Sequence, residues 1–551
     1  MVLNVQSSRD HPNISYPNVV VASVGPICTA MSRVFALGLD GVGLDLWRRL
    51  SERGWLPSLA SRFKALVTLD STVPPLTAPA WTSIASGLNP GRHGVLDFWT
   101  RPSQGQARIL IGNSFGRAFW EVAGAQGFGV GVFNYPLSYP PRPVNGFWVS
   151  GMNTPRDAPD FATPASLVAD MAGFVPDTVA EMTCRRDLRH RVSDRLALLR
   201  DLIALQDHHL EAGLVAMRKS SRLSIDLFVF ALTTTDRFLH FFWDCVGPVA
   251  DYSPLTPPPA LADLAARFWR ALDSGVDRWL NEARPDSVIL FSDHGFQSVP
   301  HQVFNMPVWL RSVDWTSGAY RVPANLGILR RARVAAKDAA KRLLPEFAWQ
   351  RIRGRLAGAS SASVVGPIAL ETLYGQVIGL TVTGDTLARS ALVDTALVAA
   401  RKTRDALGRP VFEWAEFGSV VWPGAPATFP DAVMCLRADL GAGSSASDPR
   451  LMFDSVTERL GDHAPQGVFG ISEPLIPVGA APLRVWDVPA IVLQRLGAAI
   501  PDDLDGRVPD WLPGERVYVS LGAGGLASSG AYSAAQTEEL TNRLRQLGYV
   551  D

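Results

Sequence analysis

Asp293 and His294 follow directly on an apolar run in the stretch VILFSDHGF (288–296), and that ending recurs along the chain. VFALGLD ends on Asp40. DLFVFALTTTD ends on Asp236, with His240 four residues later, and His463 precedes a further strand-like run, GVFGIS, by a few residues. Carboxylates and imidazoles are the donors zinc accepts when thiolates are absent. The two side chains of an Asp-x-x-x-His pair share one helical face, so one ion is within reach of both. Asp40, Asp293 and His294 are therefore read as holding one divalent ion, and Asp236, His240 and His463 a second. Each motif alone is more often an ordinary polar strand end; their joint occurrence carries the reading.

A nucleophile is sought in PPLTAPAWTSIASGLNPGRHG (74–94). Thr77 stands two residues before Pro79 and a small-residue helical pattern, which places its hydroxyl at a helix N-terminus. There, backbone amides and the helix dipole favour an incoming anion such as phosphate. A metal on the hydroxyl oxygen would make it attack at neutral pH. The competing role for Thr77 is a plain helix N-cap. Thr82 and Ser83 fall inside the helix and suit the task less well. Arg92 and His93 are read as closing the segment structurally, and Trp81 as core.

These side chains need a rigid frame. From Val34 onward, short apolar runs (VFALGLD, GVGVFNYP, DLFVFALTTTD, VILFSDHG) alternate with amphipathic stretches such as LDLWRRLSERGW. That alternation predicts βα units and a mainly parallel sheet covered on both faces. Ligands of such sheets gather beyond the carboxyl ends of the strands, so the motifs are expected to converge on one edge. Residues 157–225 carry Leu and Ala at helical spacing. Residues 330–355 carry nine Lys and Arg, a pattern of a solvated amphipathic helix pair, or of a basic lid or peripheral membrane contact.

Composition narrows the classes. The 551 residues are 47% hydrophobic with 16 Trp, enough for a large core, and 52 basic residues balance 52 acidic ones. Zero net charge removes the electrostatic argument for nucleic-acid binding. The four cysteines form no CxxC pair, which fits a reducing compartment and a cytoplasmic location better than a disulfide framework. No apolar run reaches eighteen residues. Residues 1–31 read as a disordered extension, with Met31 opening the folded part.

In their order, Asp40, TAPAW (77–81), GLNPGRHG (87–94), Asp236-xxx-His240, Asp293-His294-Gly295 and the late His463 resemble the alkaline phosphatase superfamily. The nearest branch is the type I phosphodiesterase/nucleotide pyrophosphatase group with its bacterial relatives. VGVFNYPLSYPPRPVNGFWVSGMNTP and VWDVPAIVLQRLGAAIPDDLDGR are similar to the same branch. The resemblance implies an α/β fold with a central mixed, mainly parallel sheet sandwiched by helices. It also implies two zinc ions and a phospho-threonine intermediate on Thr77, which would itself touch the metal of Asp40, Asp293 and His294. Residues 32–551 would form this catalytic domain, with a helical insertion at about 155–225 and a cap at about 310–425. The implied activity is metal-dependent hydrolysis of phosphoric esters. A transferase of the phosphoryl or phosphoalcohol group, or a non-catalytic binding protein on the same fold, stays open. Nucleotide pyrophosphatases place Asn three residues after the nucleophile; Ala80 stands there in this chain, which argues against that specific activity. A sulfatase would need Cys or Ser at position 77, and a cofactor-independent phosphoglycerate mutase would use Ser.

Overall fold

β1 (Val34–Leu39) shows why the sheet is buried on both sides. All six of its residues are buried. Phe35, Leu37 and Leu39 join one apolar cluster, whereas Val34 and Ala36 join another. Alternate residues of a strand point to opposite faces, so two buried clusters mean helices on both. The structure, a computed structural model, describes residues 32–100, 108–109, 116–171, 173–174, 192–248, 257–300, 302–315, 319–320, 362–443, 453–455, 460–521 and 532–547. The expected extension 1–31 and the basic segment 330–355 lie outside the described residues.

Along the chain, β1 leads to α1 (Leu44–Glu52), β2 (Leu66–Asp70) and α2 (Thr77–Ser86). Next come β3 (Val130–Tyr135), β4 (Gly146–Ser150), β5 (Ala162–Thr163), the long α3 (Val192–Lys219) and β6 (Leu227–Leu232). α4 (Thr234–Val246), α5 (Pro259–Ala283), β7 (Ser287–Phe291) and β8 (Gly295–Ser298) follow. A further segment supplies β9 (Ala362–Val365), β10 (Ile368–Tyr374), β11 (Val377–Val382), α6 (Thr386–Lys402), β12 (Phe412–Phe417) and β13 (Ala432–Leu436). The chain then returns through β14 (Gly461–Ala464), β15 (Gln466–Ile471), β16 (Leu483–Arg484) and α7 (Val488–Leu496).

The nine-stranded sheet has the order β16-β2-β15-β7-β1-β6-β3-β4-β5. β7, β1, β6, β3 and β4 are mutually parallel, while β15 and β5 run against their neighbours. The sheet is thus mixed and mostly parallel. Residues of α1, α3 and α5 fill the cluster on one face, and residues of α2 and α7 fill the other. β9 to β13 make a separate five-stranded antiparallel sheet with α6 packed on its own core. Among the described residues, no helix is long and apolar enough to cross a membrane.

Candidate active site

Three parallel strands deliver three motifs to one edge. Asp40 follows β1, and its amide bonds the carbonyl of Leu232 at the end of β6 (3.0 Å). The hydroxyl of Thr235 donates to the carbonyl of Asp40 (2.6 Å) and so ties the start of α4 to the end of β1. Asp293 and His294 follow β7. Gly41 occupies a left-handed turn at φ +76°, which a side chain resists. Its amide donates to Oδ1 of Asp293 (3.1 Å), and a Cβ there would strike the Phe296 ring at 2.8 Å.

His463, as expected, lies a few residues before a strand, β15, and is itself held in a short strand. It lies within β14, which pairs antiparallel with β8 and sets His463 opposite Phe296. Phe296 forms an apolar platform for three imidazoles, with ring centroids 4.8 Å from His240, 5.1 Å from His463 and 5.9 Å from His294.

Two triads result, one of Asp40, Asp293 and His294 and one of Asp236, His240 and His463, all six residues buried. In the first, Nε2 of His294 is 3.5 Å from Oδ1 of Asp40 and 3.2 Å from Oδ2 of Asp293. In the second, Nε2 of His463 is 3.1 Å from both Oδ1 of Asp236 and Nε2 of His240, and His240 is 3.5 Å from the same carboxylate oxygen. A tetrahedral ion holds O and N donors at about 2.0–2.2 Å, which separates neighbouring donors by about 3.3–3.6 Å. The observed edges are close to that spacing.

The hydrogen bonds fit the same reading. Nδ1 of His463 faces the carbonyl of Pro75 (2.8 Å), that of His240 the carbonyl of Gly461 (3.2 Å), and that of His294 the carbonyl of Gly295 (3.1 Å). A carbonyl only accepts, so each Nδ1 carries the proton and each Nε2 presents a lone pair. Two bare Nε2 atoms 3.1 Å apart repel unless a cation lies between them. In the first triad, Oδ1 of Asp40, Oδ2 of Asp293 and Nε2 of His294 are buried with no hydrogen-bond partner. Burial, helped by the charges of Asp293 and Asp236, pushes the Asp40 carboxyl well above its ordinary range. Burial likewise raises Asp293 to about 7, against the opposing pull of the Gly41 amide. It also pushes His294 well down. Carboxylates this unfavourable alone are what a divalent cation offsets. The donor set therefore fits two such ions.

Thr77 is the first helical residue of α2; the N-cap is Leu76. Thr77 therefore stands one position past the N-cap, where no side-chain cap bond forms, and its Oγ1 is fully buried with no hydrogen-bond partner. Thr82 and Ser83 are otherwise engaged, with the Ala78 carbonyl and with His93. Arg92 and Asn89 bind Asp505 and so pin the segment after α2 to the 503–505 turn, a structural task.

His93 belongs to that closure. Its Nδ1 accepts from the amide of Val95 (3.1 Å), so its Nε2 donates to Ser83 (2.9 Å). Burial pushes its pKa down to about 3. A folded pKa below the unfolded value gives stability that is full above the unfolded pKa and is lost as pH falls toward the folded one. From pH 7 to pH 5 this residue should cost the fold about 1–2 kcal/mol, the lower part of that range reflecting its partial solvent access. His93→Gln keeps an acceptor and a donor without a titrating ring. Urea denaturation at both pH values should show a smaller acid loss in the variant; equal losses would refute this account.

Three contributors were not readable as site residues in the sequence. Phe296 carries the imidazoles. The indole of Trp81 donates to Oδ2 of Asp40 (3.1 Å). Tyr374, from the five-stranded sheet, lies against the His463 ring with centroids 4.5 Å apart. Beside it, Gln297 donates both to the side chain of Gln376 (3.1 Å) and to the carbonyl of His463 (3.0 Å). The only sequence signal for any of them was position: Trp81 four residues after Thr77, and Phe296 two after His294.

Residues 34–361, well over half of the chain, match the family model described as type I phosphodiesterase / nucleotide pyrophosphatase. The chain belongs to this family. It is accordingly a phosphoric ester hydrolase of a metal-dependent family, and it carries two candidate metal clusters. Similar solved structures include phosphonoacetate hydrolase from Sinorhizobium meliloti 1021 in complex with phosphonoformate or with phosphonoacetate. They are 17% and 16% identical, and each alignment covers 88% of this chain and 100% of the other, with a TM-score of 0.49. The search of curated proteins found no match.

Proposed function

We propose that this family member cleaves phosphoric esters through a covalent phosphoryl-enzyme on Thr77, at a site built for two divalent ions. The observation that carries the reading is the position of Thr77 between two anchors. Two residues before it, the Pro75 carbonyl holds His463 of one triad; four residues after it, Trp81 holds Asp40 of the other. Its unpartnered, buried hydroxyl oxygen stands at the amino end of α2, where the helix dipole favours an anion. Asp40, Asp293 and His294 would hold one ion, and Asp236, His240 and His463 the other. Two divalent ions, for which this donor set suits zinc, would lower the pKa of the hydroxyl and offset charge on the leaving oxygen. The three carboxylates leave one positive charge over from two such ions, which favours a phosphoryl anion.

Thr77 Oγ forms a new bond to phosphorus as the bond to the ester oxygen breaks. The hydroxyl proton passes to solvent, and the departing alkoxide takes one up. Water then breaks the bond between phosphorus and Thr77, releases phosphate or its remaining monoester, and restores the hydroxyl. Pro75 and Trp81 hold the nucleophile's segment in place during both steps. The five-stranded sheet, through Tyr374 and Gln376, supplies a wall of the substrate pocket.

The test compares zinc-loaded and chelator-stripped protein on bis(p-nitrophenyl) phosphate and p-nitrophenyl phosphate. Turnover of either ester that disappears on stripping and returns with zinc supports the reading. Turnover unaffected by stripping would overturn it.

A further inference from the structure

Trp81 does more than fill the core between α2 and the sheet. We infer that it is a positioning residue: its indole N–H selects the oxygen that Asp40 presents to the first triad and ties that ligand to the helix carrying Thr77. The inference rests on the two-ion reading above.

Four observations aim the indole. Its Nε1 donates to Oδ2 of Asp40 (3.1 Å), while Oδ1, the oxygen near His294, is left without a hydrogen-bond partner. The ring has no freedom to turn, because it packs edge-on against Tyr135 (5.0 Å between centroids, 86°) and against Phe291 (5.9 Å). The hydroxyl of Tyr135 donates to the Trp81 carbonyl (2.7 Å) and fixes the backbone as well. Finally, β1 is hollowed to receive the ring. A Cβ on Gly38 would meet Cη2 of Trp81 at 2.4 Å, and Gly38 lies two residues before Asp40.

Burial alone does not require the bond to Asp40. Trp148 and Trp269 are also inaccessible, and among the described residues their indole nitrogens find no hydrogen-bond partner. This fold tolerates dry indoles, yet the N–H of Trp81 meets a carboxylate of the metal cluster. Trp81 also lies four residues after Thr77, on the same face of α2. A displacement of the helix therefore moves the hydroxyl and the carboxylate together. The Gly41 amide plays the matching part for Asp293 by taking Oδ1 and leaving Oδ2. A backbone donor is beyond substitution; the indole is not.

The experiment is a zinc titration of the stripped full chain against a chromophoric chelator. Wild type should take up two ions. Trp81→Phe keeps a ring and loses the donor, and one of the two affinities should fall about 10–100-fold while the other stays within about threefold. In a His240→Ala background, where the first triad is the intact one, the same fall should appear on the remaining ion. Replacement of Trp81 by benzothienylalanine, which has sulfur in place of N–H at nearly the same shape, should repeat it and decides the matter if the Phe variant does not fold. A purely structural Trp81 would lower the melting temperature and leave zinc affinity within about threefold, and that result overturns the inference. Wild type that binds no zinc would instead fail the two-ion reading, and the inference with it.

Discussion

Thr77→Ala should lower kcat on bis(p-nitrophenyl) phosphate by on the order of 10⁴-fold or more, while both ions remain bound and the fold is undisturbed. The separation of activity from stability follows from the environment of the hydroxyl. Thr77 Oγ1 is inaccessible and has no hydrogen-bond partner, so its removal breaks no bond. Position 77 is helical, and alanine is the better helix former by a few tenths of a kcal/mol. The buried methyl is lost as well, at about 1 kcal/mol, so the melting temperature should fall by no more than a few degrees. A threonine kept for packing or capping would show the opposite, with activity retained and stability lost. Thr77→Ser keeps the nucleophile but loses the methyl that restricts its rotamer, and should retain a measurable part of the rate. Acid-quenched wild type should yield a peptide containing residue 77 that carries one phosphoryl group; the alanine variant should not. An alanine variant within tenfold of wild type would remove Thr77 from the mechanism.

His463→Ala carries the second large effect. It deletes a donor of the second triad, so bound zinc should fall from two ions to one and kcat by on the order of 10³-fold, about 4 kcal/mol in the barrier. Here stability should suffer too. The Pro75 carbonyl loses its donor, which costs about 1–3 kcal/mol for a buried group. The His294 ring, stacked on His463 at 3.7 Å, also loses a neighbour. Elemental analysis of the dialysed variant checks the metal count directly. Two ions retained at wild-type affinity would take His463 out of the ligand set.

How much of this was legible beforehand differs from residue to residue, for physical reasons. Asp40 and Asp293 were readable because a buried parallel strand is a continuous apolar run, and its last polar residue marks the sheet edge. Asp236 and His240 were readable because a helix of 3.6 residues per turn places i and i+4 on one face. His463 was grouped with Asp236 and His240 from the sequence and does precede a strand, but the short strand that carries it was not visible. A four-residue ribbon strand such as β14 has too short a period to show, and its partner β8 is 166 positions away at the Gln297–His463 contact. Trp81 looked like core, and it is; nothing in a sequence tells whether an indole N–H in a core faces a carboxylate. Tyr374 was beyond reach because its meaning depends on how one sheet docks against another. The mainly parallel character of the central sheet was visible in the βα alternation. The reversed direction of β15 was not, since an antiparallel strand buried on both faces has the same composition as a parallel one.

The docking of Tyr374 and Gln376 on the ribbon of His463 bears on how such an enzyme can diversify. Among the described residues, the five-stranded sheet reaches the second triad through the hairpin Tyr374-Gly375-Gln376, whose glycine adopts φ +50° with the Asp462 carboxylate close by. Changes in the outer strands of that sheet can reshape what it offers to a substrate, provided this hairpin keeps its shape. A chimaera that imports a foreign sheet with a different hairpin would inherit new selectivity and a disturbed imidazole in the same exchange. Recombination boundaries placed on either side of residues 374–376, with the hairpin kept from the parent, would keep those two inheritances apart.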